Sequence, residues 1–198
     1  MSAGNQKIRI FGQTALTDRK FVNLFEIRYS DRNGNERRWD FASRQNPPKI
    51  ETGAFDIVDA VIIVPWHVPS GKLVVIREFR MPLNDYQYGF PAGLVDPGES
   101  PQQSAIRELG EETGLKTTGI RRTSQPIYVS SGLTDESIVM VYLDCDGRPS
   151  DSNTGSAEDI ETVFLSQKEA ADLCADSALK VDVKTWLVMD KFAATGGI

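Results

Sequence analysis

The sequence is poor in cysteine and histidine, the residues that form disulfides or bind structural zinc in small proteins. It has two cysteines, Cys145 and Cys174, and one histidine, His67, in 198 residues. A disulfide between the two cysteines is possible, but a chain of this length buries roughly 70% of its unfolded surface and needs no cross-link. A zinc site needs several cysteine or histidine ligands. We therefore expect reduced cysteines and no structural zinc.

The sequence also lacks an excess of positive charge and a long apolar run. It has 22 basic and 28 acidic residues and a formal net charge of −6, which argues against general nucleic-acid binding because phosphate backbones need a basic surface. The longest apolar run covers residues 60–64, whereas a transmembrane helix takes about 20 residues. The first residues lack the apolar core of a signal peptide. We expect a cytoplasmic protein that binds neither nucleic acid nor a membrane.

Alternating apolar residues predict an antiparallel sheet at the start of the chain. The predicted strands cover residues 7–16, 21–29 and 36–43, and Asn33-Gly34 is typical of the turn between the last two. Residues 45–52, with two adjacent prolines, are predicted to be a linker. Because three strands with exposed edges are rarely stable alone, we expect residues 1–52 to form an arm that pairs with another surface and residues 53–198 to form the main domain.

The rest of the chain predicts an α+β domain. The predicted strands are 55–65, 72–79, 119–129, 137–143 and 161–165, and the predicted helices are 100–113, 166–174 and 181–193. Residues 81–88 are predicted to be irregular and residues 144–159 to form a mobile loop. The first helix has the clearest signals: Ser100 can be its N-cap, Gln103 can close a capping box and Gly114 can end it.

Three glutamates of this helix share one edge. Glu108 and Glu112 are four residues apart, and Glu111 follows Glu108 by three. A solvated acidic face would explain the three carboxylates, but not Glu99 in the loop before the helix or Arg107 among the glutamates. Carboxylate oxygens clustered on a rigid edge bind Mg²⁺ or Mn²⁺, and such ions in turn bind substrate phosphates.

The spacing of these residues resembles the Nudix box. Gly93 is followed after five residues by Glu99, and seven residues later residues 107–115 complete the pattern G-x5-E-x7-R-E-U-x-E-E-x-G-U, in which U is apolar. All fixed positions match, with a chance probability of about 10⁻⁷ at average residue usage. The resemblance implies a hydrolase of nucleoside diphosphates linked to another moiety, folded as an α/β/α sandwich with the box as loop, helix and loop.

Flanking motifs resemble the ADP-ribose pyrophosphatase subgroup of that family. They are Arg-Glu-Phe-Arg at residues 77–80, Phe-Pro-Ala-Gly at residues 90–93 and Ser-Gly-Leu-Thr-Asp-Glu at residues 131–136. The N-terminal strands also fit, because these enzymes commonly dimerise through such an arm. Ser131 stands where the subgroup usually has proline, and Gly89 where it often has an acidic residue. These two departures leave the sugar or base undecided.

The resemblance implies metal ligands within the box. Glu108 and Glu112, together with the backbone carbonyl of Ala92, are the expected ligands. Glu111 is expected either to ligate the ion or to orient a metal-bound water. Glu99 is either a further ligand or a structural partner of the box arginine.

Other residues are expected to bind substrate or carry the proton. Arg80 is a candidate phosphate ligand, because a guanidinium can donate two parallel hydrogen bonds to an oxyanion. The alternative is a plain surface arginine. Arg44 and Trp39 are candidates to reach the base across a dimer interface, although sheet packing also explains Trp39. Glu136 is the expected general base, because carboxylates that ligate a cation are weak bases; a solvent-facing glutamate or a fourth ligand are the alternatives.

Together these features predict a homodimeric, Mg²⁺- or Mn²⁺-dependent hydrolase of ADP-ribose or a similar nucleoside diphosphosugar. Its products would be a nucleoside monophosphate and a sugar phosphate. Two alternatives stay open: a pyrophosphatase for another sugar nucleotide, such as GDP-mannose or UDP-glucose, and a non-catalytic module that binds a nucleotide sugar.

Overall fold

The computed structural model describes residues 8–150 and 158–198, which form two compact units. The first unit takes in the chain up to residue 59 together with residues 126–138, and the second takes in residues 60–125 and 139–198. The predicted division at residue 52 and the predicted dimerisation of the arm stay predictions. No helix within the described ranges is both long enough and apolar enough to span a membrane.

The first unit contains the predicted three-stranded antiparallel sheet, with its strands in sequence order. Its strands are β1 (Arg9–Ala15), β2 (Asn23–Ser30) and β3 (Glu36–Ser43). Gly34 adopts φ 83° in the turn between β2 and β3, a conformation that favours glycine. The side chain of Asp31 closes this turn by accepting the backbone N–H groups of Asn33 and Asn35. The predicted hairpin is therefore confirmed.

The predicted linker at residues 45–52 is wrong in part, because Lys49–Thr52 forms a short helix, α1. The Lys49 side chain is fully buried, and its ammonium group donates to Asp59 Oδ2 at 2.5 Å, Ile57 O at 2.7 Å and Ser137 Oγ at 2.8 Å. A buried ammonium group needs such complete pairing. This network also explains why the strand predicted from residue 55 begins only at residue 60.

The second unit is built on a sheet with the order β11-β5-β4-β10-β8, with β6 paired to β5 and β7 paired to β4. The strands are β4 (Ala60–His67), β5 (Lys72–Arg80), β6 (Asp85–Gly89), β7 (Ala92–Leu94), β8 (Lys116–Thr123), β10 (Ser137–Asp146) and β11 (Ile160–Leu165). The predicted strand at residues 119–129 is divided, because its last part is a separate strand, β9 (Ile127–Tyr128), in the first unit.

Residues 81–88 are ordered, contrary to the prediction of an irregular stretch. A single 3-10 turn, Met81–Leu83, leads to Asn84, which adopts φ 48° and reverses the chain. The following strand β6 then pairs antiparallel with β5. Asparagine tolerates the left-handed conformation, and β5 and β6 form a local hairpin around this turn, with Arg80 opposite Asp85.

The three predicted helices are present with shifted ends: α2 (Pro101–Thr113), α3 (Gln167–Ala175) and α4 (Val183–Thr195). Ser100 and Gln103 form the predicted capping box of α2, and Gly114 ends it with φ 71°. Asp182, which the sequence analysis did not single out, caps α4 by accepting two backbone N–H groups. Of the predicted mobile loop at residues 144–159, the first three residues belong to β10, and residues 151–157 lie outside the described residues.

One part of the core of the second unit lies between α2 and the sheet, and α3 and α4 bury Ala170, Met189 and Phe192 in another part. Leu109 of α2, Val61 and Ile63 of β4 and Leu143 of β10 are fully buried. The buried face of α2 fixes the rotation of the helix. Its glutamate edge is therefore fixed as well, because residues three and four positions apart lie on one side of a helix.

Candidate active site

Glu112 is the most deeply buried carboxylate of the helix α2. The residue is only 9% exposed, and its Oε2 accepts a hydrogen bond from the backbone N–H of Ala92 at 3.1 Å. Burial raises its pKa to about 8, and the negative charges of Glu108, Glu78 and Glu158 act in the same direction against the single N–H donor. Among the described residues this carboxylate has no ion-pair partner.

Glu108 occupies space that a side chain at position 93 would fill. A Cβ atom built on Gly93 would lie 1.8 Å from Glu108 Oε1, far inside any permitted contact. The absence of a side chain there lets the carboxylate lie directly against strand β7. Burial raises the pKa of Glu108, although Arg107 opposes that shift. The fixed glycine of the Nudix box thus has a steric cause.

Arg107 joins the carboxylates of the box. Its guanidinium donates to Glu99 Oε2 at 3.0 Å, to Glu108 Oε1 at 2.7 Å and to Glu111 Oε2 at 3.1 Å. It also donates to the backbone carbonyl of Leu94 at 3.2 Å, which ties the loop after β7 to the helix. The hydrogen bonds to these carboxylates raise the pKa of Arg107, that to Glu99 contributing most. One planar cation therefore holds three acids in fixed positions.

Glu99 forms an ion pair with Arg107 in the structure, and the two predicted roles, structural partner or further ligand, both stay predictions. Its carboxylate also accepts the hydroxyl of Ser104 at 2.6 Å. Arg107 first, and then Ser104, hold the pKa of Glu99 below its ordinary value. Glu111 is half-exposed and has Arg107 as its ion-pair partner. Both side chains are thus oriented by the same guanidinium.

Two further carboxylates belong to this site, and sequence reasoning did not assign them. Glu78, at the end of β5, is partly buried, and burial raises its pKa. The charge of Glu158, just before β11, raises the pKa of Glu78, Glu108 and Glu112 alike. The motif at residues 77–80 was the available signal for Glu78. Its proximity to the box, however, depends on strand pairing.

The donor set fits a hard divalent cation. Carboxylate and carbonyl oxygens are the ligands that Mg²⁺ and Mn²⁺ prefer, and burial raises the pKa of both Glu112 and Glu108. Among residues 8–150 and 158–198, no three histidine, cysteine or acidic side chains are already arranged as a metal site. Arg107 lies among the carboxylates instead, so cation binding requires Glu108 and Glu111 to exchange guanidinium contacts for metal contacts.

The other predicted site residues fall into the two units. Arg80 lies in the second unit and pairs with Glu78 at 2.9 Å. Arg44 and Glu136 lie in the first unit, where Arg44 Nε donates to Glu136 Oε1 at 2.5 Å. Trp39 of the same unit donates its indole N–H to the backbone carbonyl of Gly132 at 3.2 Å. The structure therefore brings Arg44 together with Glu136, an ion pair that the sequence did not indicate.

The segment that carries Glu136 is held at several points. The Glu136 N–H donates to Thr134 Oγ1 at 3.1 Å. The neighbouring Asp135 carboxylate accepts the Ser43 hydroxyl and the backbone N–H of Lys49, both at 3.0 Å. These bonds tie the segment to β3 and to α1. The position of the Glu136 backbone is thus fixed within the first unit.

Comparison with known proteins gives one family. The NUDIX domain model matches residues 57–184. A nudix hydrolase of Caenorhabditis elegans is 32% identical over 170 residues, which cover 82% of this chain and 74% of the relative. The ADP-sugar pyrophosphatase of Mus musculus is 27% identical over 190 residues, covering 89% of this chain and 84% of the relative.

A solved structure gives the same fold. The crystal structure of an ADP compounds hydrolase superposes with a TM-score of 0.75 and 22% sequence identity, covering 99% of each chain. At 22% sequence identity, the structural similarity shows that the two chains share a fold. It confirms the predicted α+β sandwich with an N-terminal antiparallel arm.

Replacing Gly93 by alanine is predicted to inactivate the site while the protein stays folded. The new Cβ collides with the Glu108 carboxylate and displaces it, and a displacement of about 1 Å in a catalytic group can cost about 10²-fold in rate. Gly119→Ala in β8 is the matched control, because a Cβ there meets nothing within 4 Å. Steady-state kinetics and thermal unfolding measure both variants. Full activity of folded Gly93→Ala would contradict the steric account.

Proposed function

This chain belongs to the Nudix family, and from that premise we propose that it hydrolyses the pyrophosphate bond of ADP-ribose or a similar nucleoside diphosphosugar. The products from ADP-ribose would be AMP and ribose 5-phosphate. The observation that carries the proposal is the pair Glu108 and Glu112, whose carboxylates lie against Gly93 and Ala92 from one edge of a helix. The name of the mouse relative, an ADP-sugar pyrophosphatase, supports this substrate class.

We propose Mg²⁺, or Mn²⁺, as the cofactor, held by Glu108, Glu112 and the backbone carbonyl of Ala92. Such a cation neutralises charge on the pyrophosphate and lowers the pKa of a bound water. Glu111 lies on the same helix edge, half-exposed, where it can bind a second ion or orient water. Arg107 is a positioning residue, because its contacts are with carboxylates and one backbone carbonyl rather than with open space.

Arg80 is the proposed phosphate ligand of the second unit. Its side chain is 47% exposed, and the ion pair with Glu78 uses only one terminal nitrogen. A guanidinium has five N–H donors in a planar fork, so the others stay available for a phosphate oxygen. Arg44, 41% exposed in the first unit, is the second proposed substrate ligand.

Glu136 is the proposed general base. It is not part of the acidic helix edge, so its carboxylate is not committed to the proposed metal ion, and metal-bound carboxylates are weak bases. Its ion pair with Arg44 leaves the side chain 19% exposed. The buried network of Lys49, Asp59 and Ser137 begins at the very next residue, so the backbone beside the base is anchored rather than mobile.

We propose a cytoplasmic location. Both cysteines, one buried and one partly exposed, are free thiols, which suits a reducing compartment. Cell fractionation with an antibody to this chain tests the location.

The proposed hydrolysis is tested with a panel of nucleoside diphosphosugars. ADP-ribose, ADP-glucose, GDP-mannose and UDP-glucose are incubated with protein and Mg²⁺ or with a chelator, and products are separated by chromatography. We expect AMP and ribose 5-phosphate from ADP-ribose, only with the cation present. Glu112→Gln should nearly abolish turnover in a folded protein, whereas Glu36→Gln, an exposed residue of β3, should not. Binding of these compounds without any turnover would favour a non-catalytic module instead.

The assignment of the base predicts the kinetics of Glu136→Gln. Loss of one general base lowers kcat by roughly 10²–10⁴-fold, and KM should change little because substrate contacts are retained. Parallel measurement of Glu111→Gln gives the comparison within the box. A fall of less than tenfold in Glu136→Gln, with cation affinity intact, would return the base role to Glu111 or another box carboxylate.

The N-terminal sheet is the proposed dimer interface. Its first two strands and the turn between them expose several large apolar side chains, each between 45% and 69% exposed: Ile10, Phe11, Phe21 and Leu24. Strand β1 also has one unpaired edge, and such an edge favours pairing with another chain. Light scattering should give twice the chain mass of 21.9 kDa. A single chain mass at micromolar concentration would refute the homodimer.

A further inference from the structure

Arg44, the proposed substrate ligand of the first unit, has a sequence neighbour on each side that is bound to a distant carboxylate. The Ser43 hydroxyl donates to Asp135 Oδ2 at 3.0 Å, and Ser43 is fully buried. On the other side, the side-chain amide of Gln45 donates to Asp59 Oδ1 at 3.1 Å. The backbone on both sides of this arginine is therefore tied to other segments of the first unit.

Glu136, the proposed base, is flanked in the same way. The residue before it, Asp135, is the carboxylate that accepts the hydroxyl bond from β3. The residue after it, Ser137, donates its backbone N–H to Asp59 Oδ2 at 2.8 Å, and the Asp59 N–H donates to Ser137 O at 3.0 Å. The same two carboxylates therefore fix the neighbours of both members of the Arg44–Glu136 ion pair.

Lys49 is bound to both of these carboxylates. Its backbone N–H donates to Asp135 Oδ2 at 3.0 Å. Its fully buried ammonium group donates to Asp59 Oδ2 at 2.5 Å, to Ser137 Oγ at 2.8 Å and to Ile57 O at 2.7 Å. An ammonium group has three N–H donors, so internal contacts use them all. Lys49 thus acts on the residues beside the proposed base rather than on a substrate.

Geometry explains this buried charge better than stability does. The side chains of Lys49 and Asp59 are 0% and 6% exposed. Removing two charges from water costs free energy that their attraction repays only in part, so an apolar pair of similar volume often gives equal or greater stability. Charge-assisted hydrogen bonds, in contrast, are short and directional. They fix the position of Ser137 more tightly than apolar contacts would.

We propose that Lys49 is a positioning residue for the hydrolysis: by binding the residues on both sides of Glu136, it holds that carboxylate against Arg44. The inference rests on the proposed function, because it deepens the assignment of Glu136 as the base. A displacement of about 1 Å in a catalytic group can cost about 10²-fold in rate. Loss of the ammonium group therefore acts on kcat through Glu136.

A double-mutant cycle on kcat tests whether Lys49 acts through Glu136. Lys49→Met removes the charge and keeps an unbranched side chain, and turnover of ADP-ribose with Mg²⁺ is measured in the wild-type and Glu136→Gln backgrounds. We expect kcat to fall by about 10- to 10²-fold in the wild-type background. In Glu136→Gln it should fall by less than about twofold, because a residue that acts through another has no effect once the other is lost.

Met189→Ala is the matched control for loss of stability. Met189 is fully buried in the second unit, and none of the hydrogen bonds described above involves it. Its truncation should change kcat by the same factor in both backgrounds. An equal fall for Lys49→Met in both backgrounds would show a general structural role and overturn the proposal. An unchanged kcat for Lys49→Met in the wild-type background would overturn it as well.

Ser137→Ala provides the test if Lys49→Met does not fold. It removes the hydroxyl that accepts from the Lys49 ammonium group and leaves the ion pair with Asp59 in place. Loss of one hydrogen bond predicts a fall in kcat of about 3- to 10-fold, again confined to the background that retains Glu136. The same fall in both backgrounds, or no fall in either, overturns the proposal. Thermal unfolding identifies the variants that fold.

Amide hydrogen exchange separates this inference from the proposed function. If the wild-type protein cleaves no compound of the panel, or Glu136→Gln lowers kcat by less than about tenfold, the proposed function or its base fails. Exchange then tests the positioning alone. In Lys49→Met, or in Ser137→Ala, exchange over residues 134–138 should rise by about 3- to 10-fold while exchange over α4 stays unchanged. Unchanged exchange over residues 134–138, or an equal rise along the whole chain, overturns the proposal.

Discussion

The close approach of helix α2 to strand β7 is the contact on which the site depends. The strand has no side chain at Gly93, so the carboxylate of Glu108 fills the space that a Cβ would occupy. One turn further along, Glu112 reaches the backbone N–H of Ala92. The capping box at Ser100 and the left-handed Gly114 set where the helix begins and ends, so the glutamates meet the strand in this register and no other.

This approach creates an electrostatic problem that Arg107 solves only in part. Its guanidinium contacts Glu99, Glu108 and Glu111. Among the described residues it forms no hydrogen bond or ion pair with Glu112, whose pKa burial raises to about 8. Near neutral pH, the cation-free site therefore holds a proton at Glu112. Binding of a divalent cation must release that proton, because a ligating carboxylate is ionised. The chain can thus fold around its acidic cluster without the cation and still favour its binding.

Local sequence signals predicted the parts of the site that depend on nearby residues. Ser100, Gln103 and Gly114 fix the helix, and residue spacing alone places Glu108 and Glu112 on one edge of it. What the sequence could not show depends on contacts between distant segments. Glu78 and Glu158 are brought near each other by the pairing of β5 with β11, two strands far apart in the sequence. Lys49 lies in the segment predicted to be a linker, and its contacts with Asp59 and Ser137 depend on residues outside that segment. No apolar periodicity in the sequence indicates either of these long-range contacts.

The two kinds of charged group in the second unit have different consequences for recognition. A cation held by the box carboxylates, as proposed, would attract phosphates, which are common to every nucleoside diphosphosugar. Such a cation cannot distinguish one sugar from another. The ion pairs that Arg80 and Lys184 make with Glu78 and Asp182 lie outside the acidic helix edge. Discrimination between sugars therefore has to come from residues other than the box carboxylates.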